Sequence, residues 1–277
     1  QMAIGDTYGS IQIWDLETGL HGSSLEGHSG VVSCITFSPS GDTILTGCDD
    51  YTAKIWDKHT RECLKTLRGH GLNHDDDIFG ESQDGNVSSV AFSPDGFLAA
   101  TGSLDCTVKL WITESGQEEK TIEQYDGPVF SVAFSPCGDM VLVGTCNGVA
   151  SLWDIETSWC VRSFGVHHAC VHSAVFSPDG MFVATGSWDC CATLWDTASG
   201  ECLKSYRSSG RVNCVAFSPD GKALASASHD GLVHFWDVTN LDREEAEPLC
   251  TFEQHAAIHT VAFDPTLKLD WADALRA

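Results

Sequence analysis

A chain of 277 residues with 42% hydrophobic side chains can bury a substantial core, which excludes a disordered tail. Fifteen Lys and Arg stand against 39 Asp and Glu, a formal net charge of −24 at pH 7 that repels phosphate and anionic lipid. Direct nucleic-acid binding and membrane insertion are therefore not expected, and no apolar run approaches the roughly 20 residues that a spanning helix needs.

The chain opens on "QMAIGDTYGSIQIWD", which has neither the basic start nor the apolar stretch of a secretion signal, so the expected setting is cytoplasmic, or else nuclear. Within it "MAIGD" and "SIQIWD" read as two strands ending near Trp14. From there a pattern recurs. Phe37, Phe92, Phe134, Phe176, Phe217 and Phe263 sit in "FSP" or a variant of it, and Trp14, Trp56, Trp111, Trp153, Trp195 and Trp236 keep step at separations of 42, 55, 42, 42 and 41. One unit of about 42 residues has been copied, with one insertion in the third copy. The breaks fall at about 27, 70, 125, 167, 208 and 254, within one domain spanning 1–277 whose tail, 264–277, departs from the pattern.

Each unit reads as four short strands. "VNCVAFSP" ends at a Pro, "DG" turns it into "KALASAS", "HDG" turns that into "LVHFWD", and a segment such as "ECLKSY" supplies the fourth. No stretch holds a helical period. The expected fold is all-β, a propeller of four-stranded blades with six units present. The last segment, "IHTVAF", reads as a first strand able to complete the opening unit and close a six-bladed ring; part of a seven-bladed ring is the alternative.

Through "WDLETG", "GHSGVVSCITFSPSGD", "TGSLDCTVKLW" and "ASHDGLVHFWD" the sequence resembles the WD-repeat β-propeller family, over essentially residues 2–263. The resemblance implies a hydrogen-bonded set in each blade: a His before the first strand, a Ser or Thr in the second, an Asp in the next turn and the Trp of the third. Carried over by position, it makes His167, Ser187, Asp189 and Trp195 the one complete set. The second unit has Cys48 where the hydroxyl is expected, the third has Ser103 but a His70 displaced by the insertion, the fourth offers Tyr125, Thr145 and Asn147, and the sixth has Ser208 in place of His. Those units are expected to be looser.

Of the thirteen cysteines, Cys106 and Cys190, Cys63, Cys160 and Cys202, and Cys34 and Cys214 recur at matching places in the repeats, and the cysteines read as small buried fillers rather than disulfide partners. "HHACVH" (167–172), near Cys190 and Cys191, is the best case for a metal, but His167 is accounted for by the repeat and CxxC spacing is missing; no metal or cofactor is expected. There is no GxSxG elbow, P-loop or dinucleotide fingerprint, so no catalytic residue is expected either.

The resemblance places the turn after each second strand on the narrow face used for recognition. The residues before the turn acids, Asp49, Leu104, Trp188 and His229, are candidates for contact with a partner, with packing against the next blade as the alternative for Trp188. The insertion "NHDDDIFGESQDG" (73–85) adds Asp75, Asp76, Asp77 and Phe79. With the net charge it favours basic proteins or peptides as partners. The expected function is a non-catalytic protein-interaction scaffold within a larger assembly; a reader of a basic or modified peptide, such as a histone tail, in the central channel is the alternative.

Overall fold

Alternation of apolar and polar residues, broken every six or so positions by Asp-Gly, Ser-Pro or Thr-x-x-Gly, leaves each segment able to form only a short strand and a tight turn. The computed structural model describes residues 1–22, 24–71, 85–123, 127–165, 167–241 and 247–263; Tyr125, Asp75, Asp76, Asp77, Phe79 and the tail from 264 lie outside the described residues. The described elements are all strands, and no helix is long and apolar enough to cross a membrane. The chain divides into two compact units, Gln1–Phe134 and Ser135–Ala277.

In the first unit, β1 (Met2–Gly5) pairs with β2 (Ile11–Trp14). Two four-stranded antiparallel meanders follow: β3 (Val32–Phe37), β4 (Thr43–Cys48), β5 (Thr52–Asp57) and β6 (Cys63–Arg68), then β7 (Val87–Phe92), β8 (Leu98–Ser103), β9 (Thr107–Ile112) and β10 (Glu118–Glu123). The unit ends with β11 (Val129–Phe134). In the second, β12 (Met140–Thr145), β13 (Ala150–Asp154) and β14 (Cys160–Phe164) run antiparallel. Then come the meanders of β15 (Val171–Phe176), β16 (Phe182–Ser187), β17 (Cys191–Asp196) and β18 (Cys202–Arg207), and of β19 (Val212–Phe217), β20 (Ala223–Ser228), β21 (Leu232–Asp237) and β22 (Cys250–Glu253).

Within each unit, neighbouring repeats join in three ways. The landmark Trp packs on the outermost strand of the preceding repeat: Leu67 and Trp111 share one core cluster, Phe164 lies 5.6 Å from Trp195, and Tyr206 lies 4.9 Å from Trp236. The innermost strands are stitched by side chains to the backbone of the next: Ser33 donates to the Val87 carbonyl, Ser88 to that of Val129, and Asn213 to that of Ile258 at 2.9 Å. Ser89 and Ser173 in turn accept the N–H groups of Val132 and Val215. Third, the second strands of the inner hairpins carry a Gly where the next repeat's Val lies: a Cβ on Gly102 would stand 2.6 Å from Val129 Cγ1, and one on Gly186 2.8 Å from Val212 Cγ1.

Two expectations need correction. Residues 258–263 form no strand: Ile258 donates to Ser228 O at 3.2 Å, but β19 meets the segment with the side chains of Asn213 and Cys214 rather than with a free backbone edge. The cysteines are free thiols but not buried fillers. Cys48 alone is buried; Cys63, Cys137, Cys160 and Cys202 are exposed and the other eight half-buried. Cys63, Cys160 and Cys202 head outermost strands, where one side faces solvent, and Cys106 and Cys190 occupy turn positions with φ of 67° and 70°.

Because the Val side chains of β19 leave no room for a methyl group, Gly186→Ala should lower unfolding stability by about 1–3 kcal/mol. Denaturant titration measures it; an unchanged midpoint would mean that the two strands part at little cost.

Candidate functional site

An indole N–H can only donate, so a buried Trp needs an acceptor within reach. Trp195 lies opposite Val183 in the β16–β17 ladder, and Thr185 is two residues further along the same face. Trp195 Nε1 donates to Thr185 Oγ1 at 2.8 Å, Thr185 Oγ1 lies 2.7 Å from His167 Nε2, and His167 Nδ1 lies 2.9 Å from Asp189 Oδ2. The proton positions follow. Ionised Asp189 only accepts, so Nδ1 carries the hydrogen; Nε2 then accepts the Thr185 hydroxyl proton. Asp189 Oδ2 also takes the backbone N–H of His168, tying the loop before β15 to the turn after β16.

This corrects the hydroxyl assigned from the sequence. Ser187 is four residues from Val183, about 13 Å along a strand and beyond an indole's reach. It instead accepts the Asp189 N–H at 3.2 Å and donates to Ala169 O. The same two-residue correction completes other repeats. Trp56, Thr46, His28 and Asp50 form the relay in the second, with Cys48 Sγ accepting the Asp50 N–H where Ser187 would. In the third, His70 is in place despite the insertion: it joins Asp105 at 2.9 Å and Thr101 at 2.7 Å, and Trp111 completes the chain. The second and third repeats are thus fastened as fully as the fifth.

The fourth and sixth are not. Val143 occupies the hydroxyl position of the fourth, so half-buried Trp153 turns its N–H to Ser151 of its own strand, while Thr145 donates to Val149 O. In the sixth, Trp236 donates to Ser226 at 2.9 Å, but Ser208 fills the His position and its buried hydroxyl has no hydrogen-bond partner. Asp230 is exposed, held by Ser209 and Ser228.

Beside the relays runs a rim held by backbone hydrogen bonds. The N–H of each residue before a turn acid donates to the carbonyl just ahead of the innermost strand: Asp49 to Val31, Leu104 to Asn86 and Trp188 to Cys170 at 3.0 Å, and His229 to Arg211 at 2.8 Å. Backbone geometry repeats while the side chains differ completely. Asp49, Leu104 and Trp188 are half-buried and His229 is exposed. Trp188 lies between its neighbours: its ring stacks on His172 at 5.4 Å and 20°, and the Arg211 guanidinium sits 5.2 Å above it. The partner positions Val31, Asn86, Cys170 and Arg211 were legible only as the residue ahead of each strand's first Val.

Among the described residues, the ligand-like group is His28, Cys48 and Asp50, with donor atoms within 4.8 Å of one another, rather than the 167–191 cluster. Both His28 nitrogens are engaged, with Asp50 and Thr46, and burial pushes the Cys48 thiol up to about 11. A metal would have to break the relay to bind there.

Burial works to raise the Asp105 carboxyl, but bonds from His70, Thr107 and the Gly71 N–H overcome it and hold the group well below the usual carboxylate range. Asp50 and Asp189 are depressed by the same balance. A depressed folded-state value gives stability that is complete above the ordinary carboxylate value of about 3.9 and is lost as pH falls through the folded value. Asp105→Asn should therefore cost about 1–3 kcal/mol at pH 7, and its gap to wild type should close as the pH is lowered below about 4. Denaturant midpoints across pH test this; a constant gap would mean that the charge does not matter. Ser208→His should supply the missing link to Asp230 and Ser226 and add about 1 kcal/mol, read from the same midpoints.

The family model "WD domain, G-beta repeat" (WD40) matches residues 20–57, 61–111, 116–154, 158–196 and 200–237. The chain is similar to the small ribosomal subunit protein RACK1y of Oryza sativa subsp. japonica, 38% identical over 36% of this chain and 26% of that one. It is similar also to coatomer subunit beta'-2 of Arabidopsis thaliana, 36% identical over 31% of this chain and 8% of that one. A third relative is the nuclear distribution protein PAC1 of Gibberella zeae, 33% identical over 44% and 26%. In each case the alignment spans well under two thirds of the relative's length. With five matched repeats covering most of its length, all built of β-strands, the chain belongs to the WD40 family of β-propeller repeats.

Proposed function

We propose that this chain is a non-catalytic protein-interaction scaffold that engages partners through the rim residues before the turn acids. The observation that carries this reading is the contrast between a repeated backbone and unrepeated side chains. Asp49, Leu104, Trp188 and His229 are held by equivalent backbone hydrogen bonds, yet they offer a carboxylate, an aliphatic group, an indole and an imidazole. The fold needs the position and not one particular side chain, so the side chain there can vary with the partner. A net charge of −24 favours a basic partner surface. Asp75, Asp76, Asp77 and Phe79 of the acidic insertion belong to the same proposal. Thirteen free thiols suit a reducing compartment, cytoplasmic or nuclear.

Trp188 is a poor probe because its ring packs on His172 and Arg211. A triple variant, Asp49→Lys, Leu104→Glu and His229→Asp, avoids that packing. It should keep its thermal midpoint within a few degrees while losing most of the partners that wild type captures from a lysate, identified by mass spectrometry. An unchanged partner set would move recognition away from this rim, and selective capture of short modified basic peptides by wild type would favour a reader.

A further inference from the structure

The position just ahead of the outermost strand is an exposed polar residue in three repeats, Glu62, Gln117 and Glu201, while in the first the Asp15 N–H donates at 2.9 Å to the carbonyl of Leu20, which is 70% exposed. Its backbone is fixed, since the carbonyls of Glu62, Gln117 and Glu201 accept the N–H of Asp57, Ile112 and Asp196 at 2.9–3.0 Å. In the fourth repeat the same backbone bond is present, from Asp154 to the carbonyl of residue 159 at 3.0 Å, but the residue is Trp159 and it is 75% exposed. The fold asks only for a backbone here, so it gives no reason for an indole in water.

Trp159 stands at the edge of its sheet. It heads β14, the outermost strand of its sheet, whose residues Cys160 to Ser163 are all exposed. Val161 of that strand, 44% exposed, joins Met140, Leu152 and the 61%-exposed Met181 in lining a groove of about 430 Å³. Asp179 and Asp196 line it too. The one cation in the lining, Arg162, is tied down: its guanidinium donates to Ala198 O and its stem covers Gly200. Two carboxylates against one committed guanidinium leave the groove negative. The equivalent groove between the second and third repeats shares the apolar character, with Ile55, Leu64 and Phe92, and the cation position, with Lys65, but adds Ser38, Ser40 and Thr43 and has Glu62 ahead of its strand.

We propose that this outer edge of the fourth repeat is a docking surface for an extended segment of another protein, one that carries a large aliphatic or aromatic side chain beside Lys or Arg. The apolar side chain enters the groove between Val161 and Met181, the cation meets Asp179 and Asp196, and Trp159 closes over the segment. The open edge of β14 offers backbone pairing to an extended chain. An exposed Trp on a hydrogen-bonded backbone is the kind of residue that dominates binding energy once covered. The proposal deepens the scaffold reading but uses a surface separate from the rim, and either can fail without the other.

The test uses the full chain and two immobilised peptide libraries of twelve residues, each with a central Phe or Leu, flanked by Lys and Arg in one and by Glu in the other. Wild type should be retained by the basic library at least about tenfold more strongly than by the acidic one. Trp159→Ser and Met181→Glu should each weaken that retention at least tenfold with unchanged thermal midpoints, while the rim triple variant binds as wild type. Hydrogen exchange should slow in 158–164 and 179–182 on adding the basic library. Using two variants guards against one of them misfolding. Equal retention by both libraries, no retention by either, or retention unaffected by both edge variants would overturn the proposal. Loss confined to the rim variant would overturn it as well, while sparing the scaffold reading.

Discussion

The frame of the second, third and fifth repeats hangs from one hydrogen that must be accepted: the indole N–H of a Trp packed out of reach of water. In the second, third and fifth repeats it is accepted by Thr46, Thr101 and Thr185, each fully buried. Once that Thr oxygen has accepted, its own proton goes to His Nε2, which places the His hydrogen on Nδ1, which in turn requires an ionised Asp. The Asp then collects a backbone N–H from the loop ahead of the innermost strand. A constraint on one side chain is thereby passed to the backbone of two loops, while the rim bond persists without the relay in the sixth repeat, where His229 donates to Arg211 O at 2.8 Å. No single bond here contributes much more than about 1 kcal/mol net, but leaving any buried member unmatched costs more than the bond gains.

The repeats that break the relay show where its demands can be relaxed. With Val143 in place of Thr, Trp153 finds Ser151 within its own strand and comes partly into solvent. The donor stays satisfied, but the link from sheet to loop is lost. With Ser208 in place of His, the acceptor Ser226 is kept, yet Asp230 moves outward and relies on Ser209. The two losses differ in kind: the fourth repeat gives up the connection at its centre, the sixth at its loop. It is in the fourth, with its centre already reorganised, that an outer-edge Trp stands exposed.

Strand number, turn chemistry and the roles of His, Asp and Trp were legible because they depend on residue type at a fixed spacing. The identity of the hydroxyl was not, because Ser187 and Thr185 share a face of one strand and both can accept; only the reach of the indole from its place opposite Val183 separates them. His70 looked displaced because spacing was counted through the insertion, whereas Gly71 and Gly85 on either side of it lie next to each other. The cysteines misled for a different reason. Recurrence at equivalent positions signals a shared backbone environment and not burial, and the environments here are strand heads and left-handed turns. Trp159 could have been found by the same comparison that misjudged the cysteines, since Glu62, Gln117 and Glu201 at its position are polar and none of its counterparts is aromatic.

The relay has the connectivity of a nucleophilic triad: hydroxyl to Nε2 at 2.7 Å, Nδ1 to carboxylate at 2.9 Å. What separates a strut from a catalyst is access and demand. A nucleophile needs a lone pair open to substrate and an oxyanion site beside it. Thr185 has neither opening, because its oxygen already accepts the Trp195 N–H and no part of the residue reaches solvent. The same groups that could activate a hydroxyl are thus consumed in holding a sheet to a loop, three times over in this chain. The side chains that the frame does not use are the ones that differ between repeats at equivalently hydrogen-bonded backbone positions.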